Sequence, residues 1–367
     1  MKHAASFATR GPVLIVGTGL LGTSIALRLR GAGVPVYLRD ISPVAAGLAR
    51  DLGAGSDAEP PLSDLPQLVV VAVPPDVTAA AVGAALEEFP DAVVTDVASV
   101  KSEVAAELAE HEGFSRYVGS HPMAGKERSG AIAADADLFI GRPWVIVGSA
   151  QTDPAAVLAV RNLAVDMGAA VASMSAAEHD HAVAVISHMP QLMSSLVASA
   201  LRDEPATALD LAGQGLRDVT RIAHSDPLLW AAIIDGNRGE IAKVLRSIAQ
   251  RLDSLVAAVD SEAGLNEISG VIHDGNLGVA RIPGKHGGAP AQYAEVTVLV
   301  PDQVGELGRL FIDIGAIGVN IEDFNLEHSM AAPVGRAAVF VAPARARDLE
   351  HGLDARGWQV VSVAGDN

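Results

Sequence analysis

The chain has 367 residues, 50% of them hydrophobic, no cysteine, and a formal net charge of −18. That length allows a large core and roughly two or three domains, and the missing thiols exclude disulfides, thiolate metal sites and cysteine nucleophiles. A negative chain without any Lys/Arg cluster argues against nucleic-acid and anionic-membrane partners, so an anionic substrate has to be held by a few placed cations.

The amino terminus MKHAASFATR passes into PVLIVGTG, which is too short and too punctuated by glycine for a signal peptide or a membrane span. A cytoplasmic location is the expectation. From residue 12, apolar runs (PVLIVG, VPVYLRD, LVVVAVP, AVVTDVASV) alternate with helix-length stretches (LLGTSIALRLRG, SPVAAGLARDLG, KSEVAAELAEH). This alternation predicts a parallel sheet covered on both faces, and RPWVIVG and AAVASM extend it to about residue 175. After SAAEHD the pattern becomes helical throughout, as in VISHMPQLMSSLVASAL and DPLLWAAIIDGNRGEIAKVLRSIAQRLDSLVAAV. The glycine- and proline-rich stretch that follows reads as a linker. Beyond it the order is βαββαβ, a split ferredoxin-like arrangement. The predicted organisation is a Rossmann-type domain at 11–175, a helical substrate and dimerisation domain at 176–270, a linker at 271–292 and a small α/β domain at 293–367.

Gly17, Gly19 and Gly22 of GTGLLG follow a predicted strand and open a predicted helix, the setting that turns a weak pattern into a dinucleotide fingerprint. Gly17 makes the turn, Gly19 admits the pyrophosphate, and Gly22 lets helix and strand pack. Leu20 and Leu21 begin the helix whose amides hold the anion, and Val73 and Pro74, at the end of a later strand, complete the expected cofactor contacts. Asp40 ends the strand about twenty residues on, where a carboxylate accepts from a ribose diol and repels a 2′-phosphate; NAD is therefore favoured over NADP, with Arg39 beside it as the complication. Asp40 could instead cap the helix after it.

Two further strand ends carry DVASVK and HPMAG, presenting Ser99, Lys101 and His121 toward the place of a nicotinamide. A neutral imidazole suits removal of a hydroxyl proton as hydride leaves the same carbon, and Ser99 could orient it or bind the same hydroxyl. The competing readings are a strand-end histidine bonded to backbone, and Ser99 as helix cap with Glu103 near the capping-box position. His179, His181 and His188 raise a metal site, but no ligand spacing supports one; no metal is expected.

GTGLLG, DVASVK, SHPMAGKERSG, HDHAVAVISHMPQ and GLRDVTRIAHSDPLLW, in this order and spacing, resemble the prephenate and arogenate dehydrogenases of tyrosine biosynthesis over about residues 11–260, and the last region resembles an ACT regulatory domain. The resemblance implies NAD-dependent oxidative decarboxylation, with His121 as the base at the ring hydroxyl, Ser99 assisting it, Arg221 binding the ring carboxylate and His188 contacting the side-chain end. Arg217 and Asp218 precede Arg221 on the helix, where Asp218 could orient it. Trp230 is either a core anchor or reaches a neighbouring subunit's cleft in a homodimer built through the apolar helices. Lys126 stands where many relatives carry threonine and Gln191 where they often carry histidine, which leaves prephenate versus arogenate open; 4-amino-4-deoxyprephenate is a third candidate, because an amine in place of the ring hydroxyl needs only a modest change around His121. In the last domain Asp302 is expected to cap a helix, and with Gly305 and Asn320 to form the loop at which a tyrosine effector would bind. A non-catalytic NAD and amino-acid sensor is the reading of a different class.

Overall fold

The apolar runs of the first half form one seven-stranded sheet in the computed structural model, which describes residues 7–126, 128–283, 293–328 and 334–364. Its strands are β1 (Val13–Val16), β2 (Val36–Arg39), β3 (Leu68–Val71), β4 (Val93–Asp96), β5 (Tyr117–Pro122), β6 (Pro143–Val147) and β7 (Ala170–Ser173), in the order β2-β1-β3-β4-β5-β6-β7. Helices α1 (Leu20–Gly31), α2 (Pro43–Asp51), α3 (Pro75–Glu88), α4 (Ser102–Leu108) and α5 (Pro154–Asp166) connect them. Val13, Ile15, Val69, Val70 and Val94 are wholly buried, as unbroken apolar strands under helices on both faces must be. β2 lies on one side of β1 and β3 on the other, so the carboxyl ends of β1 and β3 form a topological switch point, where open α/β sheets take ligands.

The expectation of a wholly parallel sheet is corrected at one edge: β6 runs antiparallel to β5, and β7 is parallel to β6. A parallel return needs a crossover of a dozen or more residues that is usually helical. Between Pro122 and Pro143 the described chain contains a single 3-10 turn, Ala131–Ala133, and the strand folds back beside its predecessor.

The second region is helical, as its periodicity predicts: α6 (Ala176–Val183), a π turn (Ala184–His188), α7 (Met189–Ala200), α8 (Ala206–Leu209), α9 (Gln214–Thr220), α10 (Pro227–Asp235), α11 (Arg238–Val259) and α12 (Leu265–Val279). Ser175 and Glu178 close a reciprocal capping box at the start of α6. The run Ala176–Ala200 is, among the described residues, the one helix long and apolar enough to cross a membrane by length and composition. It nevertheless buries His179, Asp180 and His188 while leaving Val185, Ile186 and Leu196 exposed. The linker expected from residue 271 does not begin there, because α12 continues to Val279. Gly275 and Gly278 cost a helix about 1 kcal/mol each without blocking it, and proline, which does block, first follows at Pro283. Residues 284–292 of that expected linker lie outside the described residues.

The chain divides inside α11 into two compact units, Met1–Gln250 and Arg251–Asn367. In the second, β8 (Ala294–Pro301), α13 (Glu306–Ile317), β9 (Asp323–His328), β10 (Val334–Val341), α14 (Ala346–Asp354) and β11 (Gln359–Ala364) follow the expected βαββαβ order. The antiparallel sheet β11-β8-β10-β9 packs Val296, Val298 and Val339 against Leu310, Ile314, Leu349 and Leu353 of the helices. Asp302 does not cap α13, contrary to expectation. Gly305 does, at φ +94°, because the chain enters that helix through a left-handed turn that glycine adopts without steric cost.

Candidate active site

The loop between β1 and α1 is shaped as a phosphate cradle. Gly17 has φ +97°, and a Cβ on Gly17 or Gly22 would strike the backbone of Ala72 or of Gly17 itself, whereas a Cβ on Gly19 would meet nothing within 4 Å. The tight positions are therefore fixed by packing, and the open one faces space. Gly19 caps α1 without any side-chain acceptor, and the first turn carries no acid, so the amides of Leu20, Leu21 and Gly22 are left to bind an anion. These features fit a dinucleotide.

Asp40 lies beside the cradle and shapes it. Its Oδ2 accepts from Thr18 N at 2.7 Å and Thr18 Oγ1 at 2.9 Å, and its Oδ1 accepts from Ser42 N at 2.9 Å. A carboxylate has roughly four acceptor positions, so one remains for a ribose hydroxyl. Capping of α2 falls to Ser42, whose hydroxyl accepts from Ala45 N. Arg39, the complication for cofactor choice, is gripped by Glu88 at 2.7 and 2.9 Å and Glu59 at 2.7 Å, and those bonds raise its pKa further still. A guanidinium already held by two carboxylates is a poor partner for a 2′-phosphate. Asp40→Ala should weaken NAD binding about tenfold or more, the loss of one charge-assisted bond, and narrow the preference over NADP; fluorescence titration with both cofactors measures this, and a variant still wholly NAD-selective would remove Asp40 from the ribose.

His121 sits near the end of β5, paired with Val145 of β6, and is 8% exposed. Its Nδ1 lies 2.8 Å from His179 Nε2, His179 Nδ1 lies 2.8 Å from Asp180 Oδ1, and Asp180 accepts Lys101 N at 2.9 Å and Ser102 N at 2.7 Å. Burial would raise the Asp180 carboxyl, but the bonds from His179, Ser102 and Lys101 outweigh it and hold it below the usual range. Burial, then the nearby His179, Lys101 and His188, push His121 well below an ordinary imidazole, with Asp180 opposing. The ring is neutral near pH 7, the form a base requires.

Two expectations on the neighbouring loop are corrected. Lys101 does not face the nicotinamide place: its ammonium is buried against Asp96, whose other oxygen accepts from Tyr117 OH at 2.7 Å. Ser99 does not cap α4 with Glu103, because the helix starts at Ser102 and Asp180 satisfies its first amides from another element. Half-buried Ser99 lies on the turn between β4 and that capped start.

His188 ends the π turn, a distortion frequent at functional positions. Asn237 Nδ2 lies 3.3 Å from its Nδ1 and donates to the Asp180 carbonyl at 2.7 Å, so His188 joins the same cluster. Half-buried Trp230 meets the His188 ring edge-on, centroids 6.2 Å apart, which supports the anchor reading within the chain. Gln191 donates to Ser225 Oγ at 2.8 Å, and Ser194 to the Val219 carbonyl at 2.7 Å, fastening α7 to α9 and to the loop on the two sides of the 3-10 turn Arg221–Ala223. Arg221 is on that turn and exposed; Arg217 and Asp218, on α9, are exposed as well, and Asp218 accepts from Gln214 at 2.8 Å. Lys126 is turned away from the cluster, donating to the Ala133 carbonyl at 3.1 Å and to Asp135 at 3.2 Å. Of the histidines that raised a metal, His181 is exposed and meets Glu240 at 3.1 Å, apart from the bonds that commit the other two.

Burial pushes His188 down to about 4, against an unfolded value of about 6.5. The unfolded chain binds the extra proton throughout that window, so folding stability rises with pH across it and is lost on acidification from 6.5 toward 4, by up to about 3 kcal/mol. Chemical denaturation across that range should show the loss, and His188→Gln should reduce it; equal pH slopes in parent and variant would contradict the assignment.

Residues 24–173 match the nucleotide-binding domain of prephenate dehydrogenase, and residues 175–268 match its dimerization domain. Over 357 residues the chain is 35% identical to the probable prephenate dehydrogenase NovF of Streptomyces niveus, covering 94% of this chain and 98% of that one. The chain belongs to the prephenate dehydrogenase family. It is also 30% identical to the prephenate dehydrogenase of Bacillus subtilis over 335 residues, 86% of this chain and 87% of that one. The crystal structure of the Aquifex aeolicus prephenate dehydrogenase with hydroxyphenyl propionate and NAD+ superposes with a TM-score of 0.65 at 28% identity, covering 75% of this chain and all of that one. The Synechocystis arogenate dehydrogenase gives 0.61 at 26%, covering 73% and 98%. The amino-terminal sheet is thus the family's NAD-binding Rossmann domain, and NAD is its cofactor.

Within this prephenate dehydrogenase fold, the sequence reading missed what stands behind His121. The sequence raises His179 only as a metal ligand, and its local pattern does not single out Asp180 or Asn237. The adjacent His-Asp pair of HDHAVAV was a usable signal, since an acid next to an imidazole is a standard way of orienting one. The pairing of α6 with the start of α4 is a tertiary contact between residues 78 and 79 positions apart, which periodicity does not show.

Proposed function

We propose that the chain catalyses NAD-dependent oxidative decarboxylation of prephenate to 4-hydroxyphenylpyruvate in tyrosine biosynthesis. The observation that carries this is the buried, neutral His121 at a strand end of the NAD-binding sheet, backed by His179 and Asp180. Bound NAD supplies the hydride acceptor. His121 takes the ring hydroxyl's proton as the C–H bond at the same carbon breaks, Ser99 orients that hydroxyl, and Arg221 holds the ring carboxylate through two parallel bonds. The C–C bond to the carboxylate then breaks, carbon dioxide leaves with its electrons retained by the ring, and the new phenol oxygen recovers the proton from His121. His188 lies toward the side-chain end.

A cytoplasmic homodimer is the form that fits. Leu228 is 83% exposed and Leu211 86% in the single chain, apolar surface that a second copy would bury. The small domain serves regulation by tyrosine: Asp302, Gly305 and Asn320 are all exposed at the two ends of α13, and that helix begins without a side-chain cap. An NADH assay comparing prephenate, arogenate and 4-amino-4-deoxyprephenate, with and without tyrosine, tests the whole reading. Fastest turnover of prephenate, slowed by tyrosine, is expected. Preference for arogenate would reassign the substrate, and NAD binding without turnover of any of the three would favour a sensor.

A further inference from the structure

We infer that His179 and Asp180 are positioning residues that act in series to dictate which ring nitrogen of His121 carries a proton, so that Nε2 is left as the acceptor for the substrate hydroxyl. The inference rests on the reading of His121 as the base.

The Asp180 carboxylate accepts three N–H groups: Lys101 N, Ser102 N and His179 Nδ1. An ionised carboxylate has acceptors only, so the hydrogen in its contact with His179 belongs to the imidazole Nδ1. Taken as a neutral ring, His179 has its single proton on Nδ1, so that Nε2 is a lone pair. That lone pair lies 2.8 Å from His121 Nδ1, and two lone pairs do not share such a contact, so His121 Nδ1 carries the hydrogen and Nε2 is bare.

The same chain serves the charged state. When Nε2 accepts the hydroxyl proton, one O–H bond breaks and one N–H bond forms, and the imidazolium already donates its Nδ1 hydrogen to a neutral ring backed by an anion. Around His121, the buried ammonium of Lys101 is matched by Asp96 and the ring of His188 is neutral near pH 7, which leaves Asp180 as the anion along this path. The arrangement extends the orienting logic of an acid behind a catalytic histidine by one more ring. It also gives Asp180 two tasks: α4 has no side-chain cap of its own, so the carboxylate that sets the tautomer also secures the turn bearing Ser99.

The test combines ring-nitrogen NMR of 15N-histidine-labelled full-length protein with kinetics of two substitutions at His179. In the parent, His121 should show a protonated Nδ1 and a bare Nε2. His179→Leu removes the acceptor and should lose that signature and lower kcat by about 10²-fold or more, with the NAD dissociation constant unchanged within about twofold. His179→Gln offers a carbonyl oxygen in place of Nε2 and should restore the signature and much of the rate, a rescue that a packing role would not give. A proton on Nε2 of His121 in the parent, or parental turnover in His179→Leu, would overturn the inference. Turnover retained in His121→Asn would overturn the base role itself, whatever the ring signals show.

Discussion

His121→Asn is expected to lower kcat by about 10²–10⁴-fold, the contribution of a positioned base, while leaving NAD affinity nearly unchanged. The separation follows from position. His121 lies on β5 beside β6, whereas the cradle that holds the cofactor is built on β1 and α1 from Gly17, Gly19 and Gly22. Asparagine preserves a polar group of similar reach but has no lone pair of comparable basicity, so the hydroxyl proton is left with no acceptor as hydride departs. The loss corresponds to about 3–5 kcal/mol of transition-state stabilisation. Steady-state kinetics with a parallel NADH titration decides it. Unchanged kcat would reject the base assignment, and a large fall in NADH affinity would point to a disturbed sheet.

Arg221→Ala is expected to raise the KM for prephenate about 10²-fold with a smaller change in kcat. Two charge-assisted bonds to a planar carboxylate are worth roughly 1.5–3 kcal/mol each, and a hundredfold change corresponds to about 2.7 kcal/mol. The chain's net charge of −18 sharpens the effect, since an anionic substrate gains nothing from the surrounding surface. Lysine restores part of the loss at most, because an ammonium does not form the paired fork. Unaltered KM in Arg221→Ala would remove this residue from the carboxylate site.

Much of this site could be read from the sequence because its parts are local. GTGLLG lies between a strand and a helix in a single stretch, and two of its glycines, Gly17 and Gly22, are required by contacts within that stretch and with Ala72 just after β3. His121 at a strand end followed from one apolar run. What escaped was set by tertiary partners: Lys101 is drawn to Asp96 on the strand before it, and Asp180 comes from a helix far along the chain to cap α4. The antiparallel β6 depended on a connection lacking a crossover helix, which apolar runs alone do not reveal. In the small domain the βαββαβ order was legible from alternating patterns. The capping residue was not, because a left-handed entry at Gly305 displaced the acid that chemistry alone would choose.

The convergence of His121, Ser99 and Arg221 on one ring is tested most directly by a crystal structure with NAD and a prephenate analogue that keeps the ring hydroxyl and ring carboxylate. The expected result is His121 Nε2 at about 2.6–3.2 Å from the hydroxyl oxygen, the hydroxyl-bearing carbon at about 3–3.5 Å from the nicotinamide, and Arg221 of the same or the second copy on the carboxylate. A ring bound with its hydroxyl away from His121, or an Arg221 left on an outer surface that no subunit covers, would contradict it.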